Sequence, residues 1–200
     1  DMLDMDFPTV DKDDPYALSK EEEIVVEKIK HAFTHSEKLQ RHIRFLYTKG
    51  SMYKIYNSNL LYHGCVPLDE NGEFKKVRIF GDDYSGKALY DVLEHYARKG
   101  FFSKNPENKR KGEDILYYIW ANPNSPVFGK DKMATFETYF VEDKEVRKEK
   151  KNKYYELLDD EKTVDKILKE FSLDPRYSHI INGHVPVEQK NGENPVKCGG

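Results

Sequence analysis

Apolar residues take up helical spacing only after a polar opening. Residues 1–18 carry Pro/Asp-rich turns without periodicity, and then Ser19 and Glu22 form a capping-box pattern ahead of Ile24, Val25, Ile29, Ala32 and Phe33. That spacing predicts a helix. A second series, Leu39, Ile43 and Leu46, follows Ser36 and stops at Lys49-Gly50, so two helices separated by a break are expected. Met52 to Tyr56 and Leu60 to Tyr62, joined by Asn57-Ser58-Asn59, read as a hairpin of two short strands.

Beyond the hairpin the period changes several times. Asp69 to Gly72 is a turn, Phe74 to Phe80 alternates as a strand, and Leu89, Val92, Leu93 and Tyr96 place a helix over Ala88 to Ala97. The polar run Ser103 to Gly112 reads as a solvated loop. Asp114 to Trp120 is apolar and aromatic, broken by Asn122-Pro123-Asn124-Ser125-Pro126 into a structured loop that runs to Lys132. Lys144 to Lys153 is a mixed charge run, read as solvated. An amphipathic helix is expected over Glu161 to Phe171, and a short buried strand at Ser178 to Ile181 leads into Asn182-Gly183-His184. The alternation of strands and helices gives an α/β (α+β) fold class.

Composition narrows the functional classes. With 33 basic and 36 acidic residues the net charge is −3, so no global field recruits nucleic acid or an anionic membrane, and any anion site must be local. No apolar run approaches the roughly 18 residues of a membrane span. Two distant cysteines, Cys65 and Cys198, form neither a CxxC pair nor a secreted disulfide framework, which favours a cytoplasmic protein. The chain opens without methionine and ends at Cys198-Gly199-Gly200, which reads as a piece of a longer protein.

Two of the seven histidines sit beside glycine at strand ends, in Leu60-Leu61-Tyr62-His63-Gly64 and Ile180-Ile181-Asn182-Gly183-His184. Glycine there is expected to let the backbone turn so that the imidazole points past the sheet edge. Neutral imidazole ligates Mn²⁺, Fe or Zn²⁺, but loop histidines also make ordinary hydrogen bonds. Gly81 to Ala88 has Walker A spacing up to its last residue. Ala88 lacks the hydroxyl that would meet Mg²⁺, and Asp82 and Asp83 would repel phosphate, so a turn into a helix is the better reading. Lys130 and Lys132, in Phe128-Gly129-Lys130-Asp131-Lys132, are the leading phosphate-contacting candidates. Arg41 and Arg44 are weaker ones.

The stretches NLLYHGCVPL (59–68), NPNSPVFGKDKMATFETYF (122–140) and HIINGHVPVEQKNGENPVK (179–197), with SEKLQRHIRFLYTKGSMY (36–53), resemble class III (Firmicutes-type) fructose-1,6-bisphosphatases. Those enzymes are relatives of the calcineurin-like metallophosphatases. The resemblance implies part of a β-sandwich flanked by helices, with a helical and loop insert. It divides one partial domain, 1–200, into a linker (1–18), helices and hairpin ending in His-Gly (19–68), an insert and phosphate-loop region (69–176), and a strand with Gly-His (177–200). It also implies that His63 and His184 are metal ligands of a two-metal site, with Mn²⁺, Mg²⁺ or another divalent ion. Fructose 1,6-bisphosphate is the implied substrate, in gluconeogenesis.

The family's Asp-x-His, Gly-Asp-x-x-Asp-Arg-Gly and Gly-Asn-His motifs are absent from these 200 residues, and Gly81-Asp82-Asp83 lacks the Asp-Arg-Gly that should follow. No catalytic residue is therefore assigned to this segment, which alone is expected to be inactive. Its expected partners are the N- and C-terminal parts of the same protein and further copies of it, with no nucleic acid and no membrane. A phosphatase acting on phosphoproteins or nucleotides, or a non-catalytic interaction module, are the alternative readings.

Overall fold

The computed structural model describes residues 1–198, the side chain of Gln189 excepted, so the last two residues of the 177–200 segment lie outside the described residues. The elements in order are α1 (Lys20–His35), α2 (Glu37–Lys49), β1 (Tyr53–Tyr56), β2 (Asn59–Tyr62), β3 (Val77–Ile79), β4 (Asp82–Tyr84), α3 (Gly86–Phe102), α4 (Pro106–Ala121), α5 (Thr135–Phe140), α6 (Glu161–Glu170) and β5 (Ile180–Asn182). Helices and short strands mix in an α+β fold. The chain divides into two units, residues 1–50 with 135–147, and residues 51–134 with those from 148 onward. The division cuts across the sequence segments because α5, inside the expected insert, belongs with the N-terminal residues.

In the first unit, α1 starts at the expected capping box: Ser19 accepts from the Glu22 backbone while the Glu22 side chain accepts from the Ser19 backbone. Ser36 ends α1 and caps α2 by accepting from Leu39 N–H at 3.3 Å. Neither helix contains a buried residue, so the apolar series of Ile24, Ile29 and Phe33 lies open. Phe7 meets Phe140 of α5 edge-on at 5.6 Å.

In the second unit, Asn57 and Ser58, both with positive φ, turn β1 into β2 as an antiparallel hairpin. β5 joins the other edge of β2 in parallel, giving the order β1-β2-β5, while β3 and β4 form a separate two-stranded sheet. Leu60 and Tyr62 of β2, Tyr90 of α3, Tyr154, and Ile167 and Leu168 of α6 build one core with Cys65, Val66 and Phe171. Val77, Ile79, Leu89, Leu93 and Ile115 build a second. Burying each large aliphatic side chain contributes about 1.5–3 kcal/mol.

Several sequence expectations are corrected. The run Ser103 to Gly112 is a loop only to Asn105, whose side chain caps α4 by accepting from Asn108 N–H at 3.0 Å, with Pro106 in the first turn. Its polar residues are the solvent face of a helix. Gly112 is tolerated there because α4 packs directly on α3, where a Cβ at Gly112 would lie 2.0 Å from Gly100 N. The strand expected over Phe74 to Phe80 shrinks to Val77–Ile79, and Asp82–Tyr84 pairs with it. The strand expected to be buried at Ser178 to Ile181 is Ile180–Asn182. It is only half covered, with Ile181 53% exposed, because β5 is the outermost strand of its sheet among the described residues.

Candidate metal and phosphate site

The parallel pairing of β2 with β5 decides where the two histidines go. Tyr62 is in register with Asn182, so the loops that follow the strands leave the sheet at the same end. Gly183 N–H donates to the His63 carbonyl at 3.1 Å, and the Asn182 amide donates to the Gly64 carbonyl at 3.1 Å. One backbone ladder bond thus continues past the strands, and the Asn182 side chain adds a second tie between the loops. His63 Nε2 and His184 Nδ1 end 3.0 Å apart, with the rings nearly perpendicular at 76°.

The glycines beside them act differently from expectation. Neither Gly64 nor Gly183 has a positive φ; the left-handed residue is His184 itself, at φ 64°. Gly64 is required by close approach instead, since a Cβ there would lie 2.3 Å from the Pro126 carbonyl oxygen. That carbonyl accepts from Cys65 N–H at 2.9 Å, which docks the Asn122 to Lys132 loop against the His63 turn. The loop is anchored by buried Ser125, whose hydroxyl donates to Ile119 O at the end of α4 at 2.7 Å and accepts from Val127 N–H at 3.1 Å.

The ordering of this loop carries Lys130 toward the histidines. Lys130 Nζ pairs with Glu149 at 2.7 Å, and Glu149 also accepts from Ala134 N–H at 3.0 Å. Lys130, then the Ala134 backbone, hold the Glu149 carboxyl below its ordinary range. Lys132 is half buried on the Glu149 side, where its charge adds to that effect. For His184, burial is the main force disfavouring protonation, followed by the charges of His63 and Lys130. A pull from the Phe128 backbone opposes these, and Lys151 adds a smaller push.

Two ligand nitrogens at about 2.1 Å from one ion and at right angles to it stand about 3.0 Å apart, so the observed spacing suits a shared divalent cation. His184 Nε2 is buried without a hydrogen-bond partner among the described residues, at the position where a metal-bound histidine ordinarily donates to a carboxylate, a carbonyl or water. No third His, Cys, Asp or Glu joins the pair among the described residues. The donor set therefore fits a metal centre as two of its ligands and needs others from outside the segment.

Sequence reasoning passed over two contributors. Lys151 was hidden in a charge run that reads as solvent-facing, and Asn182 carries no motif signal of its own beyond standing before Gly183-His184. Only the strand pairing reveals what either one touches.

The sequence model described as Firmicute fructose-1,6-bisphosphatase matches residues 1–200. A fructose-1,6-bisphosphatase class 3 of Clostridium botulinum (strain Kyoto / Type A2) is 54% identical over 200 residues, covering 100% of this chain and 30% of that relative. Proteins of the same description from Clostridium acetobutylicum and Clostridium novyi (strain NT) are each 55% identical, over 98% and 97% of this chain and 30% and 29% of their own. The chain spans about 30% of the length of the curated relatives it matches. No solved structure matches it.

Proposed function

The chain belongs to the Firmicute fructose-1,6-bisphosphatase family, and we propose that the complete protein hydrolyses fructose 1,6-bisphosphate to fructose 6-phosphate and phosphate. The observation that carries this reading is the pair of imidazoles brought within 3.0 Å at one sheet end. In it, His63 Nε2 and His184 Nδ1 would hold a divalent cation, Mn²⁺, Mg²⁺ or another, completed by carboxylates from other parts of the protein. Such an ion lowers the pKa of bound water and spreads the charge of the attacking and leaving oxygens.

The segment's own residues position and neutralise. The parallel β2–β5 pairing and the Asn182 amide hold the two rings in register, and burial keeps His184 neutral, the form that can ligate. Lys130 and Lys132 supply positive charge toward the substrate's phosphate. Lys130 is the better placed, since its charge reaches His184. No acid catalyst is assigned to this segment. We place the activity in the cytoplasm and in gluconeogenesis, as the resemblance implies; the free Cys65 and Cys198 favour a reducing compartment. The open apolar faces of α1 and α2 favour packing against the rest of the protein or another copy.

Phosphate release from fructose 1,6-bisphosphate and bound manganese, both measured on the complete protein, test the reading. His63→Ala and His184→Ala are each expected to remove most activity and to lower the metal content. Wild-type metal content and turnover in both variants would overturn the ligand assignment.

A further inference from the structure

Lys130 and Lys151 stand directly opposite each other in an isolated antiparallel bridge. The pairing is rigid: Asp131 N–H donates to Lys150 O and Asn152 N–H to Gly129 O, both at 2.9 Å, and the Asp131 carboxylate takes Lys150 N–H at 2.8 Å. Directly opposed residues project their side chains to the same side of the ladder, with Cβ atoms about 4.5–5.5 Å apart, and like charges in that arrangement repel. Glu149 relieves Lys130 alone. Lys151 has no ion pair among the described residues.

Lys151 also occupies a ridge between two cavities. On one side it lines a polar cleft of about 1010 Å³ with Lys75, Lys130 and Lys150. On the other it lines a cavity of about 580 Å³ together with Asn182, Gly183 and Val185, the residues that flank His184. The cleft is not simply basic, since its lysines are matched by carboxylates. Most of those carboxylates are already engaged. Asp69 accepts from the backbones of Asn71 and Glu73, Glu149 pairs with Lys130, and Glu156 pairs with Lys153. Among the described residues Lys151 makes no ion pair beside the histidine loop, and its charge reaches only at longer range the Glu193 carboxylate that lines the smaller cavity with it.

We propose that Lys151, opposed to Lys130 across this bridge, contacts the phosphate of a phosphate-monoester substrate beside the His63–His184 pair. The inference rests on the phosphatase reading above and adds a binding residue to it. A doubly charged anion between the two ammonium groups turns their repulsion into two charge-assisted contacts. Lys151, the member of the pair that Glu149 does not relieve, is thus placed to take phosphate.

The test uses the complete protein carrying Lys151→Met, Lys151→Arg or Lys130→Met, with fructose 1,6-bisphosphate as substrate and inorganic phosphate as inhibitor. Lys151→Met is expected to raise both KM and the phosphate inhibition constant about tenfold, or about 1.4 kcal/mol. Bound manganese and kcat should change little, and Lys151→Arg should restore most of the loss. Values within twofold of wild type for Lys151→Met, or phosphate inhibition that is not competitive with the bisphosphate, would refute the proposal. If the wild-type protein releases no phosphate from the bisphosphate, the substrate reading fails. Calorimetry with inorganic phosphate then judges the lysine separately: about tenfold weaker binding by Lys151→Met supports it, and equal binding ends it.

Discussion

Replacing Gly64 with alanine sets a methyl group 2.3 Å from the carbonyl oxygen of Pro126 and 3.1 Å from that of Val127. Carbon and carbonyl oxygen approach no closer than about 3.3 Å without strain, so one backbone must retreat by roughly 1 Å. Neither can do so cheaply. Pro126 is fully buried, and its carbonyl holds Cys65 N–H at 2.9 Å. Overpacking of about 1–3 kcal/mol and loss of a hydrogen bond worth about 0.5–1.5 kcal/mol together destabilise this corner by roughly 2–4 kcal/mol. His63 moves with the displaced turn, and a 1 Å misplacement near a reacting group can cost about 10²-fold in rate. Gly183→Ala is the internal control, because its Cβ would meet nothing closer than the His63 carbonyl oxygen at 3.8 Å. Amide hydrogen exchange of β2 and the following turn in the complete protein reads the local effect without requiring two-state unfolding. Gly64→Ala should lose protection and turnover while Gly183→Ala keeps its protection. Equal protection in the two variants would refute the argument from close approach.

Two further outcomes follow from the packing and the charges. The buried hydroxyls of Tyr62 and Tyr154 bond each other at 2.8 Å, so Tyr62→Phe or Tyr154→Phe alone should cost about 1–3 kcal/mol by stranding its partner, whereas the double variant should recover most of it in a double-mutant cycle of thermal stability. Lys130 first, then the Ala134 backbone, depress Glu149 below its ordinary 4.5, so its contribution to stability is present above about pH 4.5 and is lost as pH falls through the lowered value. Lys130→Met should move the Glu149 carboxyl titration, followed by carbon NMR, upward toward 4.5, and an unmoved titration would show that the pair does not form in solution.

Much of this protein is legible from local chemistry. The capping box at Ser19, the break at Ser36, the stop at Gly50 and the hairpin around Asn57-Ser58 are decided within a few residues of chain, and each stands where the sequence puts it. The quoted stretches around His63 and His184 carry the family likeness and mark those histidines, because a specific run of side chains needs no geometry to be recognised. Local chemistry also misleads. The run Ser103 to Gly112 has the composition of a loop, but from Pro106 it is the start of α4, with its polar residues outward and Gly112 packed on Gly100 of α3.

Tertiary structure alone brought the two histidines together. His63 and His184 are 121 residues apart, and nothing near either one states that β2 and β5 run parallel in a register that sends both loops out of the same sheet end. The two glycines look equivalent in sequence, and only the approach of the Pro126 carbonyl separates the indispensable one from the tolerant one. Lys151 reads as one more solvated charge until the bridge sets it against Lys130. A residue's chemical type is written in the chain, but its neighbours across a sheet depend on strand pairing, which sums weak interactions over many distant positions. Sequence therefore marked the candidate side chains, and pairing decided which of them meet.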